Sequence, residues 1–269
     1  MAVRSVADRG FLPVKNLLEE IGDMMILTGK TTMSALRPPY PYGQEFVAQF
    51  MFALKLCWFP LIVSMVAAGY GAPGLQAANF LVLFGALDRL GGFFVLASIR
   101  EFAPLITAII VSGVAGTAIT ADLGARKIRE ELDALQVLGV DPVKNLVVPR
   151  FLALMLITGL FDIYALIFGI FGGVLATLTF DAPLGPFFAT LLNNASTTDL
   201  WGSVVKTTLF GAIIAIVSCY KGMTASGGAE GVGRSVNQGV VIAFLAIFAF
   251  NYVFTQTLLA THPEISVIK

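Results

Sequence analysis

The segment from Phe102 to Ala121 decides the fold class of this chain. It reads Phe102-Ala-Pro-Leu-Ile-Thr-Ala-Ile-Ile-Val-Ser-Gly-Val-Ala-Gly-Thr-Ala-Ile-Thr-Ala121 and contains no charged residue. A helix of about 20 apolar or small residues is about 30 Å long, which matches the hydrocarbon core of a bilayer. The segment therefore predicts a helix that crosses a membrane.

The rest of the chain has the same apolar character. Of the 269 residues, 57% are apolar and 13% are charged, whereas soluble domains have about 25% charged residues. So few charges cannot cover the surface of a water-soluble globule. The 17 basic and 17 acidic residues cancel, so the net charge does not indicate a nucleic-acid partner. The composition predicts an all-α integral membrane protein.

Five apolar runs are long enough to cross a membrane. In chain order they are Phe46–Leu83, Phe93–Ala121, Val147–Leu178, Leu200–Tyr220 and Val240–Ala260. The first run is too long for one straight crossing, and the glycines and proline in Gly69–Gly74 are expected to break or kink it. The polar stretch Phe180–Asp199 is predicted to be a loop.

Residues 1–45 are predicted to form a cytoplasmic N-terminal segment that precedes a single membrane domain, residues 46–269. Residues 13–36 have apolar side chains at a spacing of three to four, which predicts an amphipathic helix lying on the membrane surface. The alternative is a small helix packed on a protein partner. The sequence Arg37-Pro-Pro-Tyr-Pro-Tyr-Gly43 predicts a rigid, non-helical connector.

The distribution of basic residues predicts the orientation in the membrane. Twelve of the 17 Lys and Arg residues lie in 1–45, 122–150 and 221–236. Cytoplasmic loops carry an excess of basic residues, so these three segments are placed in the cytoplasm. An odd number of crossings then places the C-terminus on the periplasmic side.

The sequence offers little for catalysis or nucleotide binding. The segment Thr28-Gly29-Lys30-Thr31 resembles the end of a phosphate-binding loop, but Met24 stands where that motif needs glycine. The segment Gly231-Val-Gly233 lacks the third glycine of a dinucleotide fingerprint. One histidine and two cysteines in apolar runs leave no pattern for a metal site. No catalytic or metal-binding residue is predicted, and the chain is not expected to be an enzyme.

The charged segment Ala125–Asp141 predicts a short amphipathic helix between the second and third spans. Opposite charges recur at i,i+4, in Arg126–Glu130, Lys127–Glu131 and Arg129–Asp133. Gly139 and the Asp141-Pro142 pair are expected to end the helix. It is either a solvated loop helix or an element on which a cytoplasmic protein docks.

Arg100 and Glu101, followed by Pro104, interrupt the second span. Charges within a span are costly and usually face a cavity or a partner, although this pair could also lie at the outer interface. Two strips of small residues predict close helix packing; they are Ser112, Gly116, Thr120 and Gly124, and the pair Gly169 and Gly173.

Several of these segments together resemble the MlaE/YrbE permease family. They are Arg100-Glu101-Phe-Ala-Pro104, Ala121-Asp-Leu-Gly-Ala125, Glu130-Glu-Leu-Asp-Ala-Leu-Gln-Val-Leu-Gly-Val-Asp-Pro142, Leu146-Val-Val-Pro-Arg150, Gly169-Ile-Phe-Gly-Gly173 and the glycine-rich segment Cys219–Gly233. They follow the family's order over residues 46–260. The Arg37–Glu45 connector and the segment Asp122-Leu-Gly-Ala125 are most similar to YrbE permeases of actinobacterial Mce lipid transport systems.

The resemblance implies the permease subunit of an ABC transporter in the bacterial inner membrane. Such a transporter has a second permease, identical or homologous, and two copies of a cytoplasmic ATPase that bind ATP and Mg²⁺; this chain binds no cofactor itself. A periplasmic assembly of Mce-domain proteins would deliver the lipid. The expected activity is import of a fatty acid, sterol or phospholipid.

The resemblance also implies roles for individual residues. Residues expected to couple to the ATPase are Lys127, Arg129, Glu130, Glu131, Asp133 and Leu135. A cytoplasmic loop expected near the ATPase contains Gly222, Gly227, Gly228, Glu230 and Gly231. Candidates for the substrate cavity are Arg100, Glu101 and Pro104.

Two other classes remain open from the residues alone. An ion-gradient-driven secondary transporter of a hydrophobic substrate would need a carboxylate at mid-membrane, and Asp162 is a candidate. An intramembrane lipid enzyme is disfavoured because neither an HExxH nor a GxSxG motif occurs.

Overall fold

A computed structural model describes residues 2–38 and 40–263, with the backbone alone for residues 2–14, 16 and 17. Within these ranges the chain consists of eight helices and contains no strand. We label the helices α1 (Ala2–Leu36), α2 (Gly43–Leu83), α3 (Leu87–Ile128), α4 (Glu131–Val137), α5 (Val143–Thr179), α6 (Leu184–Asn194), α7 (Thr197–Met223) and α8 (Gly228–Thr261).

Five of these helices are long and apolar enough to cross a membrane. They are α2, α3, α5, α7 and α8, with lengths from 27 to 42 residues, whereas a span needs about 20 residues. The five predicted spans and the all-α membrane fold are thereby confirmed. The helices extend beyond the predicted runs; α8, for example, begins at Gly228 rather than at Val240.

Of the predicted break or kink in the first span, the structure excludes the break. Helix α2 continues through Gly69–Gly74, and residues Tyr70–Gln76 form wide π-helical turns. Pro73 has no N–H to donate to the carbonyl group of Gly69, four residues earlier. The wider turns absorb this missing hydrogen bond without ending the helix.

The predicted loop Phe180–Asp199 is only partly a loop, because it contains α6. The ring of Phe187 in α6 packs edge-on against Phe94 of α3, with 5.8 Å between the ring centres. Gly185, Pro186 and a closing pair of asparagines made this stretch look irregular. Its phenylalanines and leucines nevertheless give one apolar face, which covers the start of α3.

Helices α5 and α7 lie at the centre of the bundle. In each, 56% of the most apolar stretch is buried, against 22% in α2 and 17% in α8. Helices α2 and α5 approach closely because a Cβ atom on Gly172 would lie 2.6 Å from the carbonyl oxygen of Val66. Gly116 of α3 packs against Ser218 and Ile214 of α7. Gly169 and Gly173, the predicted pair, lie against Met65 and the ring of Phe94, so both predicted strips pack within the chain.

Helix α1 lies against one end of the bundle. It extends back to Ala2, beyond the predicted start at Pro13. Met24, Leu27 and Thr31 are buried against the bundle. A second apolar face is exposed, with Leu18, Ile21, Met25, Ile26, Met33 and Leu36. Two apolar faces fit a helix that packs on the protein and also contacts lipid. The predicted connector separates α1 from α2, as expected.

Candidate functional site

Arg100 is fixed by a buried carboxylate from another helix. Its Nε donates to Oδ1 of Asp199 over 2.7 Å, and the two side chains are 13% and 0% exposed. The other oxygen of Asp199 accepts from the backbone N–H and the hydroxyl of Ser196, over 3.0 and 2.8 Å. Ser196 accepts in turn from the backbone N–H of Asp199, which completes a capping box at the start of α7.

Pro104 leaves the main-chain carbonyl of Arg100 without its helical donor. In an α-helix, the N–H of residue 104 would donate to the carbonyl of residue 100, but proline has no N–H. The ammonium group of Lys206, on α7, donates to this carbonyl instead. Lys206 is buried and also lies 3.6 Å from the Glu101 carboxylate. Pro104 thus leaves the Arg100 carbonyl oxygen free to accept a hydrogen bond from buried Lys206.

Glu101 joins the same arrangement to α8. Its two carboxylate oxygens accept from Nδ2 of Asn251 over 2.7 Å and from the hydroxyl of Thr255 over 2.9 Å. We refer to six residues that connect α3, α7 and α8 as the buried charge cluster; they are Arg100, Glu101, Asp199, Lys206, Asn251 and Thr255. Two cations face two carboxylates within it, so burial of each charge is offset by an opposite one.

An apolar groove lies beside the buried charge cluster. We refer to this space, about 390 Å³ between α7 and α8, as the α7–α8 groove; it is lined by Thr197, Thr198, Trp201, Gly202, Val205, Phe254, Leu258 and His262. Gly202 and Leu258 also line a small cavity that reaches Arg100, Asp199 and Lys206. That cavity has only about 10 Å³ of free space, enough for one water molecule at most. The buried charge cluster therefore lies directly behind one wall of the apolar α7–α8 groove.

Asp162 lies near this region, deep in α5. Its side chain is buried, and its Oδ2 accepts from the hydroxyl of Ser203 over 2.7 Å. This hydrogen bond connects α5 to α7. It satisfies one of the two carboxylate oxygens of Asp162, the candidate mid-membrane carboxylate.

The segment at the opposite end of α3 forms an elbow rather than one continuous helix. Helix α3 ends at Ile128 and α4 begins at Glu131. Between them, Glu130 has φ 60°, in the left-handed region that non-glycine residues rarely adopt. The predicted short helix between the second and third spans is present as α4, but it begins only at Glu131, and the three predicted i,i+4 ion pairs are wrong. The ion pairs are instead Arg126–Asp122, Lys127–Asp133 and Arg129–Glu131.

Helix α4 presents an apolar tip to its surroundings. Leu132 is buried and Leu135 half-buried, so both face the bundle, whereas Val137 and Leu138 are 88% and 76% exposed. Beside α4 lies an open groove of about 540 Å³, between Lys127, Asp133 and Gln136 on one side and Val140–Val143 on the other. Exposed apolar side chains of this kind are typical of surfaces that contact another protein.

The glycine-rich segment is a tight turn between two long helices. Gly222 belongs to α7 and is buried against Leu123. The turn itself is short, with Gly227 at φ 90° and Gly228 at φ 69°, where the absence of a Cβ atom removes the strain. Glu230 and Gly231 already lie in the first turn of α8. The predicted loop is thus largely helical, and the tight turn joins the ends of α7 and α8 at one edge of the bundle.

Ion pairs gather the predicted cytoplasmic segments at one end of the bundle. The guanidinium group of buried Arg150 donates to Asp122 over 2.7 Å and lies 3.5 Å from Glu45. Lys221 pairs with Glu20, which fastens α1 to α7. The ends of α1, α2, α3, α5 and α7 therefore meet at a single edge. This agrees with the positions of the basic residues along the chain.

Comparison with known proteins identifies the group to which this fold belongs. A family described as Permease MlaE matches residues 46–257. The chain belongs to the MlaE permease family. A probable ABC transporter permease protein of Synechocystis is 35% identical over 196 residues, which cover 71% of this chain and 74% of that protein. A probable ABC transporter permease protein of Rickettsia typhi is 28% identical over 89% of this chain and 92% of its own length.

A third relative comes from a plant. The Arabidopsis thaliana chloroplast protein TRIGALACTOSYLDIACYLGLYCEROL 1 is 35% identical over 186 residues, covering 68% of this chain and 52% of that protein. This MlaE permease is accordingly a multi-pass membrane protein and a permease subunit of an ABC transporter. A subunit of this kind works with an ATPase and a permease partner.

The structure brings together only some of the predicted site residues of this permease. Arg100, Glu101 and Pro104 lie in one cluster, and the elbow residues lie at the other end of α3, about 40 Å away along the helix. Sequence analysis missed Asp199, Lys206, Asn251 and Thr255. A Ser-x-x-Asp capping pattern at Ser196–Asp199 could have located Asp199, and a lysine inside an apolar span could have indicated Lys206.

Proposed function

We propose that this MlaE permease carries lipid across the bacterial inner membrane as part of an Mce system. A second permease subunit, identical or homologous, completes the membrane core. Two cytoplasmic ATPase subunits hold ATP and Mg²⁺ and supply the energy. A periplasmic assembly of Mce-domain proteins delivers the lipid, and the direction is import of a fatty acid, sterol or phospholipid.

The α7–α8 groove beside the buried charge cluster carries this proposal. Trp201, Val205 and Phe254 give the groove apolar walls that suit an acyl chain or a sterol ring system. Arg100 lies at its closed side and retains a small exposed fraction. Because Asp199 already neutralises Arg100, the groove would recognise the lipid through its apolar walls. The partner permease would enclose the side that this chain leaves open.

The elbow at α4 supplies the proposed connection to the ATPase. The apolar tip of Val137 and Leu138 would enter a groove on the ATPase, and the Lys127–Asp133 pair keeps α4 fixed to α3. When the two ATPase subunits close around ATP, they would move α4, and α4 would move α3 with it. Because α3 also carries Arg100 and Glu101, this movement would reach the buried charge cluster beside the α7–α8 groove through one continuous helix.

The charge distribution supports the proposed orientation, and a relative supports the proposed substrate class. The edge that collects α1, the elbow and the glycine-rich turn also carries most of the basic residues, which favours a cytoplasmic position and a periplasmic C-terminus. The plant relative bears the name of a galactolipid, which supports a lipid substrate here. The family relationship disfavours the gradient-driven alternative, in which Asp162 would bind the coupling ion.

Lipid transfer in proteoliposomes tests the proposal. The full permease complex is reconstituted with its ATPase, and ATP-dependent movement of a fluorescent fatty acid and a fluorescent phospholipid is followed. Trp201→Ala, in the α7–α8 groove, is expected to slow transfer several-fold. The matched control is Trp58→Ala, which removes an exposed tryptophan from α2. Equal transfer by both variants, or transfer that ignores ATP, would contradict the proposal.

A further inference from the structure

A buried arginine connects α5 to the last turns of α3, close to the elbow. Arg150 is only 1% exposed, whereas most arginines lie at protein surfaces. Its Nη2 donates to Oδ2 of Asp122 over 2.7 Å, and its Nη1 donates to the main-chain carbonyl oxygen of Leu146 over 2.8 Å. Asp122 lies less than two helical turns before the end of α3 at Ile128. Arg150 therefore fastens α5 to the part of α3 that leads into the elbow.

The other oxygen of Asp122 extends this connection to the elbow itself. Its Oδ1 accepts from Nε of Arg126 over 3.2 Å, and Arg126 belongs to the last turn of α3. Each oxygen of the Asp122 carboxylate thus has one guanidinium donor, and hydrogen bonds between charged groups are the strong ones. We refer to Arg126, Asp122 and Arg150 as the ion-pair chain.

The contact between Arg150 and α2 is looser. Oε1 of Glu45 lies 3.5 Å from Nη1 of Arg150, whereas a strong hydrogen bond between charged groups measures about 2.7–2.9 Å. The same oxygen accepts from Nε2 of Gln49, on its own helix, over 2.9 Å. Arg150 is therefore bound firmly to α3 and only weakly to α2.

Helix α5 is placed to pass a displacement on to the rest of the bundle. Asp162 of α5 accepts a hydrogen bond from Ser203 of α7. Gly172 of α5 lies against the backbone of α2 at Val66. Because the interior of a protein is close-packed, helices in such contact shift together rather than deform. A movement that reaches α5 would therefore also reach α7 and α2.

We infer that Asp122 and Arg150 are positioning residues that transmit a displacement of the elbow to α5. The inference rests on the proposed contact between the elbow and the ATPase. Without the ion-pair chain, movement of α4 would bend the end of α3 and leave α5 in place. ATP would then be hydrolysed with less lipid moved. Neither residue lines the α7–α8 groove, so their effect on transport passes through other residues.

The amount of lipid moved per ATP hydrolysed tests this inference in the reconstituted full complex. Asp122→Asn keeps the shape of the side chain and removes its charge. It is expected to lower the lipid moved per ATP about fivefold, while ATP hydrolysis stays close to that of the unaltered complex. Asp122→Glu keeps the carboxylate and is expected to retain most of the lipid moved per ATP. Glu45→Gln, at the looser contact, is the matched control and should leave the ratio unchanged.

A second variant keeps the test decisive if Asp122→Asn does not fold. Arg150→Lys retains the positive charge, but a single ammonium group cannot replace the forked donors that reach both Asp122 and the Leu146 carbonyl. It is expected to lower the lipid moved per ATP while ATP hydrolysis continues.

Three results would overturn the inference. The first is an unchanged amount of lipid per ATP in Asp122→Asn or Arg150→Lys. The second is an equal fall in Glu45→Gln, which would place the connection at α2 instead of α5. The third is loss of the ATPase from the Asp122→Asn complex on affinity purification, which would make Asp122 part of the docking surface. Absence of ATP-dependent transfer in the unaltered complex, measured in the same assay, would instead contradict the proposed function.

Discussion

The ammonium group of Lys206 donates a hydrogen bond to the main-chain carbonyl oxygen of Arg100. This contact joins α7 to α3 at the carbonyl that Pro104 leaves free. The carbonyl group that Pro104 leaves without a helical donor thus accepts from a lysine that would otherwise be buried without this partner. Neither would be stable alone in a protein interior within a membrane.

Lys206→Met is expected to destabilise the protein strongly. The substitution keeps the length of the side chain but leaves the Arg100 carbonyl without its donor and the Glu101 carboxylate without its neighbouring cation. Breaking a buried ion pair on one side costs about 3–5 kcal/mol of unfolding free energy. Thermal unfolding in detergent, followed by circular dichroism, measures the effect.

Lys55→Met is the matched control for this prediction. Lys55 also lies within a span, but its side chain is exposed on α2. It is expected to have little effect on the unfolding midpoint. Similar midpoints for both methionine variants would show that the Lys206 contact does not hold α3 and α7 together.

Arg100→Gln and Asp199→Asn are expected to be strongly non-additive. Each single change leaves the other charge buried without its partner, whereas the double change removes both charges. A double-mutant cycle on unfolding free energies should therefore give a coupling energy of at least about 1 kcal/mol. Additive effects would mean that the two side chains act independently.

Val137→Asp is expected to uncouple the ATPase without unfolding the permease. Val137 is 88% exposed, so the free energy of unfolding should change by less than about 0.5 kcal/mol. A charge at the tip of α4 cannot enter an apolar groove without desolvation. Permease-stimulated ATP hydrolysis in the complex should fall several-fold. Leu192→Asp, at a position on α6 that is 70% exposed, serves as the control and should retain stimulation.

Gly172→Ala is expected to separate α2 from α5. The new methyl group would lie 2.6 Å from the carbonyl oxygen of Val66, and backbone atoms cannot yield as a flexible side chain can. A loss of about 1–3 kcal/mol is expected from this overpacking. Gly113→Ala meets no atom within 4 Å and should be neutral or slightly stabilising. If Gly113→Ala lowered the free energy of unfolding as much as Gly172→Ala does, the close approach of α2 and α5 would not be the cause of the loss.

The candidate site could be predicted from sequence only in part. Arg100 and Glu101 stand out because charges are rare in apolar runs, but their partners lie about 100 and 150 positions later in the chain. The elbow was predicted as a charged helix, and its position is correct. Its geometry was wrong because Glu130 adopts a left-handed backbone, which i,i+4 charge spacing cannot reveal.

The sequence by itself determined the fold class, the five spans and the family. Hydrocarbon length sets the number of apolar residues that a helix needs, and this local requirement is visible in any window of the chain. Only the tertiary structure decided which buried charges meet, where α6 covers α3, and how the predicted break in α2 became a continuous π-helical stretch. These features depend on groups far apart in the chain, because a polar group in a low-dielectric interior takes whichever partner the packing of the helices brings within reach.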